Sequence, residues 1–315
     1  MTEDKQIDQW QNHHEKTHGG QTYGLQTYET IESLLRQGSQ KLQQVGIENP
    51  RREAKLLLQY ALGLSAEQII GMPKDQPVEA GRYRALLARR ARREPLAYIT
   101  AHKGFWTLDL KVSPATIVPR ADTETIISTM LTYFPNRQQA LSVLDLGTGT
   151  GCLLLAILAE YRCAWGVGVD INPQAVQLAY ENIRHCNAYC NAEKRAWVLA
   201  GQWSDALGAE WRFDSVVSNP PYIPTTDLQT LMPEVRDYEP HLALDGGNDG
   251  LEAYRALCQR LPLVLKANGL AFLEIGINQA HSVCAIAQAY GLKVVAVTKD
   301  FSNIERVVVL RYSME

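Results

Sequence analysis

Asn219, Pro220, Pro221 and Tyr222 follow one another in the chain and carry the groups that chemistry at a planar NH2 requires. An amide oxygen and a prolyl carbonyl can each accept one N–H, and an aromatic ring can stack on the plane. The preceding run, Phe213-Asp-Ser-Val-Val-Ser218, reads as a buried parallel strand. Two successive prolines cannot continue a central strand, because they lack N–H donors and fix φ. The strand therefore stops at Ser218 and leaves Asn219 at its carboxyl edge, where open α/β sheets bind ligands.

A second pattern lies upstream. Gly147-Thr148-Gly149-Thr150-Gly151 sits between a strand over 141–146 and an apolar helix over 152–159. Glycines there let the backbone approach a ligand closely. Asp170 ends the next strand, 165–169, where a carboxylate can accept hydrogen bonds from ribose hydroxyls. These two features alone leave a nicotinamide dinucleotide open. The loop, however, lacks the spaced G-x-G-x-x-G of dinucleotide sites. Taken with Asn-Pro-Pro-Tyr on the fourth strand, it favours S-adenosylmethionine, which has no pyrophosphate to bind. Asp145 is read as ordering the glycine loop. Glu274, at the end of the fifth strand, is either structural or part of the pocket.

The elements that must position these residues alternate in type. Further strands are expected over 196–200 and 270–275, with an antiparallel pair over 292–297 and 306–310 closing the chain. Repeated βα units of this kind make an α/β fold with a doubly wound, mostly parallel sheet and helices on both faces. From Tyr28 to about Leu96 the pattern is helical instead. Gly46 and Gly63 act as stops, and Asn49-Pro50 offers an N-cap followed by Pro at the first helical position. The third helix carries Arg82, Arg84, Arg89, Arg90, Arg92 and Arg93, either as a solvated face or as a docking face for an acidic partner or RNA. Phe105 to Val112 alternates with period two, as a strand or hairpin does. The expected organisation is a disordered polar extension over 1–26, a helical substrate-recognition domain over 27–97, a β-hairpin connector over 98–118, and the catalytic domain over 119–315.

Composition narrows the class. A net charge of −3 argues against coating nucleic acid by bulk charge. No apolar run approaches the roughly 20 residues of a membrane span. The six cysteines are scattered, which fits a reducing, cytoplasmic setting and no disulfide framework. His185, Cys186 and Cys190 lack paired C-x-x-C spacing, so no metal site is expected.

Asn219-Pro-Pro-Tyr222 together with Val143-Leu-Asp-Leu-Gly-Thr-Gly-Thr-Gly151 resembles the class I amino-methyltransferases acting on planar nitrogens. Further segments resemble one family within that class, the release-factor glutamine methyltransferases. They are Glu94-Pro-Leu-Ala-Tyr-Ile99, Phe105-Trp106, Val118-Pro-Arg-Ala-Asp-Thr-Glu124, Tyr238-Glu-Pro240, Ala243-Leu-Asp-Gly-Gly247, Asp249-Gly250-Leu251, and Leu273-Glu-Ile-Gly276 with Gln279. The resemblance runs from about Tyr28 to Tyr312.

The resemblance implies a Rossmann-like methyltransferase using S-adenosylmethionine on the glutamine of the Gly-Gly-Gln loop of peptide chain release factors. It implies cofactor contacts at Gly147, Thr148, Gly149, Thr150, Gly151, Asp170, Trp203 and Asn219. Asn219, Pro220, Pro221 and Tyr222 would bind the glutamine, with Asn219, Pro220 and Tyr222 carrying the chemistry. Trp203 has a second reading as a core aromatic. Arg120, Asp122 and Glu124 either cap the helix starting near Thr123 or close the site. Two departures from the family pattern stand out: Gln202 where an acidic residue is usual, and a 300–306 turn without its common glycine. Alternatives are a ribosomal-protein glutamine methyltransferase, an adenine-N6 DNA methyltransferase, or a cofactor-binding scaffold without catalysis.

Overall fold

The computed structural model describes residues 28–312, so the expected extension over 1–26 lies outside the described residues. The chain divides into two compact units, one holding residues up to Gln43 with Glu48–Leu87, the other Gln44–Ile47 with the rest. In the first unit, α1 (Ile31–Gln44) buries Ile31, Leu34 and Leu42, and α2 (Pro50–Leu62) buries Ala54, Leu57, Leu58 and Ala61. The i, i+3, i+4 spacing puts each set on one stripe, and burying that stripe is what stabilises helices of this length. Pro50 opens α2 as expected and Gly63 closes it in the left-handed region, but Asn49 makes no side-chain cap hydrogen bond. Its backbone does not take the extended conformation that a capping side chain uses (φ −119°, ψ 59°). The sequence hid two features of this region. One is the short helix α3 (Ala66–Gly71), closed by a Ser65/Gln68 capping box. The other is a three-residue ladder of β1 (Tyr28–Thr30) with β2 (Pro77–Glu79).

The division between the units falls inside α4 (Gly81–Ala91), ahead of the boundary at 97 read from sequence. The arginines of 82–93 are partly exposed, at Arg82, Arg84 and Arg92, and partly engaged within their own units. In the first unit Arg84 pairs with Glu29, and Arg82 lies over the Tyr60 ring. In the second, Arg89 pairs with Glu94, while Arg90 and Arg93 converge on Glu234 at 3.0 and 2.7 Å. Arg93 also donates to the carbonyls of Val45 and Gly46. The partners of Arg84, Arg90 and Arg93 are acidic residues and carbonyls far away in sequence, which a local charge pattern cannot show.

The second unit begins with α5 (Leu96–Thr100) and the hairpin β3 (His102–Phe105) and β4 (Leu108–Lys111), turning at Trp106 with φ 54°. After α6 (Glu124–Tyr133) come β5 (Ser142–Leu146), α7 (Cys152–Glu160), β6 (Trp165–Asp170), α8 (Pro173–His185), the short α9 (Asn187–Cys190), β7 (Ala196–Ala200) and β8 (Phe213–Ser218). The turn α10 (Pro233–Arg236), α11 (Glu252–Val264), β9 (Leu265–Glu274), α12 (Ala280–Ala289), β10 (Lys293–Lys299) and β11 (Glu305–Arg311) complete it. The sheet order is β10-β11-β9-β8-β5-β6-β7, with β5 to β9 parallel and β10 and β11 antiparallel. This is the expected doubly wound sheet. One face packs α6, α7 and the hairpin; the other packs α11 and α12.

β9 starts five residues before its expected position because Lys266, Ala267 and Asn268 are exposed and mask the strand's apolar signal. In the 300–306 turn, which has no glycine, Asn303 occupies the left-handed region at φ 64°. Asparagine tolerates that region better than other side chains. Asp300 locks the turn by accepting from Ser302 N and Ile304 N.

The order of the sheet places the site. From β5 the chain winds outward through β6 and β7, then returns to β8 on the other side of β5. The connections leaving β5 and β8 therefore part at their carboxyl ends and open a crevice there. Asn182 of α8 fixes one wall: its side chain exchanges hydrogen bonds with the Lys111 backbone and donates to Thr150 O. Glu234 serves two guanidinium groups, one of them almost fully buried, so Glu234→Ala is expected to destabilise by on the order of 3 kcal/mol. A thermal-melt comparison checks this against Arg255→Ala, which breaks an exposed pair and should leave the midpoint nearly unchanged.

Candidate active site

The crevice holds a cavity of about 380 Å³, lined among others by Gly147, Gly149, Asp170, Trp203, Asn219 and Pro221. That volume suits a nucleoside-sized ligand. Thr148, Thr150, Gly151, Pro220 and Tyr222 are not among its lining residues. The Thr148 hydroxyl turns inward and donates to Asp145 Oδ2 at 2.7 Å, which pins the loop to its own strand. Burial pushes the Asp145 carboxyl up to about 7, with Thr148 opposing the shift, and Oδ1 has no hydrogen-bond partner among the described residues. Gly151, at φ 79°, caps the start of α7.

Asp170 faces both ways. Oδ2 accepts from Gly149 N at 2.8 Å and Oδ1 from Asn172 N at 2.9 Å, so the carboxylate stitches two loops together at the cavity edge. Burial raises its pKa, and the two backbone donors hold it down. Asn172 extends the same wall by donating to Ala115 O. Trp203 takes a left-handed backbone (φ 52°), which turns its ring to the cavity while its other side packs on the core.

Asn219 presents an ordered amide. Its Nδ2 donates to Thr123 Oγ1 at 2.9 Å, and its Oδ1 accepts no hydrogen bond among the described residues. The Pro220 carbonyl is likewise unengaged among them. Tyr222 is held from three sides. Gln279 donates to its carbonyl at 2.9 Å, its hydroxyl reaches Glu274 Oε1 at 3.3 Å, and Ile223 beside it bridges Asp245. The backbone at Gly246 approaches so closely that a Cβ there would lie 2.8 Å from Tyr222 Cα and 2.9 Å from Gly250 Cα. Two segments quoted above, 243–251 and 273–279, thus converge on the residue after the prolines.

The 119–124 segment does something sequence reading did not anticipate. Arg120 pairs with the buried Glu239, Asp122 with Arg306, and Glu124 accepts from Trp106 N. None of them supplies a cap hydrogen bond to α6. Thr123 stands at the helix start as expected, immediately before α6, and also anchors Asn219. Thr116 was missed altogether; it lines the cavity with a buried, unpartnered Oγ1. Only Thr116 offered a signal, as a hydroxyl between Ala115 and Ile117 shortly after Pro114; Thr123, between Asp122 and Glu124, offered none. His185, Cys186 and Cys190 do not assemble, because both cysteines are buried whereas His185 lies at the surface beside His102 and Asp109.

Two expectations follow from this geometry. Asp145 has a folded pKa raised above its unfolded value, so its favourable contribution to stability is complete below about pH 4 and is lost as pH rises through about 7. Asp145→Asn should therefore gain in thermal midpoint relative to the parent as pH goes from 4 to 8, measured by a series of melts. Gly246→Ala should force the backbone away from Tyr222 and Gly250, costing at least about 1–3 kcal/mol in melts, with activity falling more than stability.

Comparison with known proteins places this site in a family. The PrmC N-terminal domain model matches residues 33–100 and the methyltransferase small domain model matches 121–236. A release factor glutamine methyltransferase of Caulobacter vibrioides is 44% identical over 85% of this chain and 91% of its own length. One from Rhodospirillum rubrum is 40% identical over 93% and 88%, and one from Geobacter sulfurreducens 40% over 89% and 95%. At that identity and coverage, the chain belongs to the release factor glutamine methyltransferase family.

Proposed function

We propose that the chain methylates the side-chain nitrogen of the glutamine in the Gly-Gly-Gln loop of peptide chain release factors, with Asn219 and Pro220 as the grip on that amide. The observation that carries this reading is a pair of acceptors, Asn219 Oδ1 and the Pro220 carbonyl, left unengaged at one strand end among the described residues. A carboxamide NH2 has two N–H groups to match them.

The residues present fit S-adenosylmethionine. Gly147 and Gly149 leave the cavity wall without side chains, Asp170 offers carboxylate lone pairs at its edge, and Thr116 Oγ1 is a buried hydroxyl with no protein partner. Gly147, Gly149 and Thr116 would hold the amino-acid portion, Asp170 the ribose, and Trp203 with Gln202 the base. When bound, the cofactor supplies an electrophilic methyl group on a positively charged sulfur.

The chain's own residues have one task at the nitrogen. A carboxamide lone pair is delocalised into its carbonyl and is a poor nucleophile. Accepting both N–H groups, Asn219 and Pro220 fix the nitrogen and draw positive charge from it, directing its lone pair into the cavity. Tyr222, immobilised by Gln279 and Glu274, keeps the prolyl turn and the substrate amide in register. The nitrogen's surplus proton is acidic and passes to solvent, so no general base is required. Consistent with a protein substrate, Arg84, Arg89, Arg90 and Arg93 are each paired with an acidic residue, Glu29, Glu94 or Glu234.

Asn219→Ala should lower kcat by about 10²–10³-fold while S-adenosylmethionine affinity changes by much less, read from steady-state transfer and calorimetric titration. Wild-type turnover in that variant would remove Asn219 from the mechanism.

A further inference from the structure

We propose that His102, Asp109 and His185 form a surface site for one divalent transition-metal ion of the zinc type, which ties the β3–β4 hairpin to the end of α8. Each residue offers one ligand atom, and these atoms all lie within 4.8 Å of one another. The ion takes no part in methyl transfer.

Buried contacts bring the three side chains together. In the hairpin, His102 stands opposite Lys111 and Gly104 opposite Asp109. Residues two apart, and residues paired across the strands, share a face, so these four form the outer one. Phe105, Leu108 and Leu110 lie on the other face and enter the core. Gly104 has open space where a Cβ would stand, so Asp109 can lean diagonally to His102. Asp109 Oδ2 and His102 Nδ1 meet at 2.8 Å. The third group comes from α8. Its Asn182 side chain accepts from Lys111 N at 2.8 Å and donates to Lys111 O at 2.9 Å. His185 is three residues further on and lies on the same side of the helix. Its ring meets that of His102 edge-on, with 5.6 Å between centroids. Next to it, the Cys186 thiol reaches Asp109 O at 3.8 Å. The ligands therefore stand on elements already pinned to one another.

The donor set selects the ion. Two imidazole nitrogens and a carboxylate oxygen suit zinc, nickel or copper, whereas magnesium and calcium take oxygen ligands. Tetrahedral bonds of about 2.0–2.2 Å put ligand atoms roughly 3.3 Å apart. The His102–Asp109 pair opens by about 0.5 Å to reach this, and the other distances close by at most about 1.5 Å. Rotation of side chains that reach solvent covers such shifts. Water takes the position that the three protein ligands leave. The neighbouring cations Lys111 and Arg184 are countered by Glu181 at 4.0 Å and Glu193 at 3.7 Å. Without an ion, His102 and Asp109 are an exposed pair of small worth, and the His185 side chain has no hydrogen-bond partner among the described residues. An ion gives all three a common partner. Asn182 also donates to Thr150 O in the glycine loop at 2.9 Å, so a tie between the hairpin and α8 braces one wall of the crevice from outside.

The test titrates zinc chloride and cobalt chloride into the full chain after chelation, read by calorimetry, the visible cobalt spectrum and thermal melts. His13, His14 and His18 are changed to Gln in every sample, so that zinc held by those histidines is not counted. One ion per chain should bind, with a cobalt spectrum of nitrogen and oxygen ligands and a melting midpoint that rises with zinc. His185→Gln and Asp109→Asn should each weaken binding at least about tenfold and remove most of that rise. In the absence of zinc both should melt close to the parent, because the exposed pair contributes little. His281→Gln, at an exposed position on α12, should leave zinc binding as it is. The site is overturned if the parent takes up no ion at micromolar concentrations, if one ion binds per two chains, or if affinity survives both ligand substitutions.

Discussion

The structure depends on one backbone constraint: a central parallel strand that cannot continue. Pro220 and Pro221 have no N–H to give to β5 or β9, so β8 ends at Ser218 with both neighbouring strands still alongside. That stop lies beside the switch point of the sheet, where the chain leaves β5 in one direction and β8 in the other. The carbonyl of the first proline and the amide of the preceding asparagine are thereby held at the mouth of a crevice. They are fixed by rigid elements rather than by a mobile loop. An amide nitrogen reacts slowly unless its geometry is imposed, and in the proposed mechanism this is the part of the fold that would impose it.

Around that stop the protein arranges polar groups that burial makes expensive. Asp145 and Glu274 are buried carboxyls pushed up to about 7, and Asp170 is raised as well. Each is tied to a segment that must hold its shape. Asp145 holds Thr148 of the glycine loop, Asp170 holds Gly149 and Asn172, and Glu274 sits behind Thr123 and Tyr222. Such groups weaken the fold near neutral pH, and they persist where shape matters more than stability. Close backbone packing works to the same end, with Gly246 and Gly250 letting the chain press against Tyr222.

Much of this was legible in the sequence, for identifiable reasons. Phe213–Ser218 and Ala196–Ala200 are apolar runs bounded by turn residues, and both strands occur where the pattern puts them. The Gly147 to Gly151 loop and Asp170 sit at strand ends, which period and punctuation reveal. What stayed hidden was whatever depends on contact across the chain. Arg90 and Arg93 looked like surface charge because Glu234, their partner, is more than 140 residues away. Thr123 does stand at a helix start, but its second role was hidden because only the fold brings it within 2.9 Å of Asn219. β9 began early because its first residues face solvent, and Asn49 holds the expected N-cap position but without a side-chain hydrogen bond.

The central claim is that this site methylates one glutamine amide in a peptide chain release factor. It is tested most directly by incubating the purified protein with methyl-labelled S-adenosylmethionine and a release factor. The control is the same factor with its Gly-Gly-Gln glutamine changed to alanine. The account predicts label on the intact factor and none on the altered one. Equal label on both, or none on either, would contradict it.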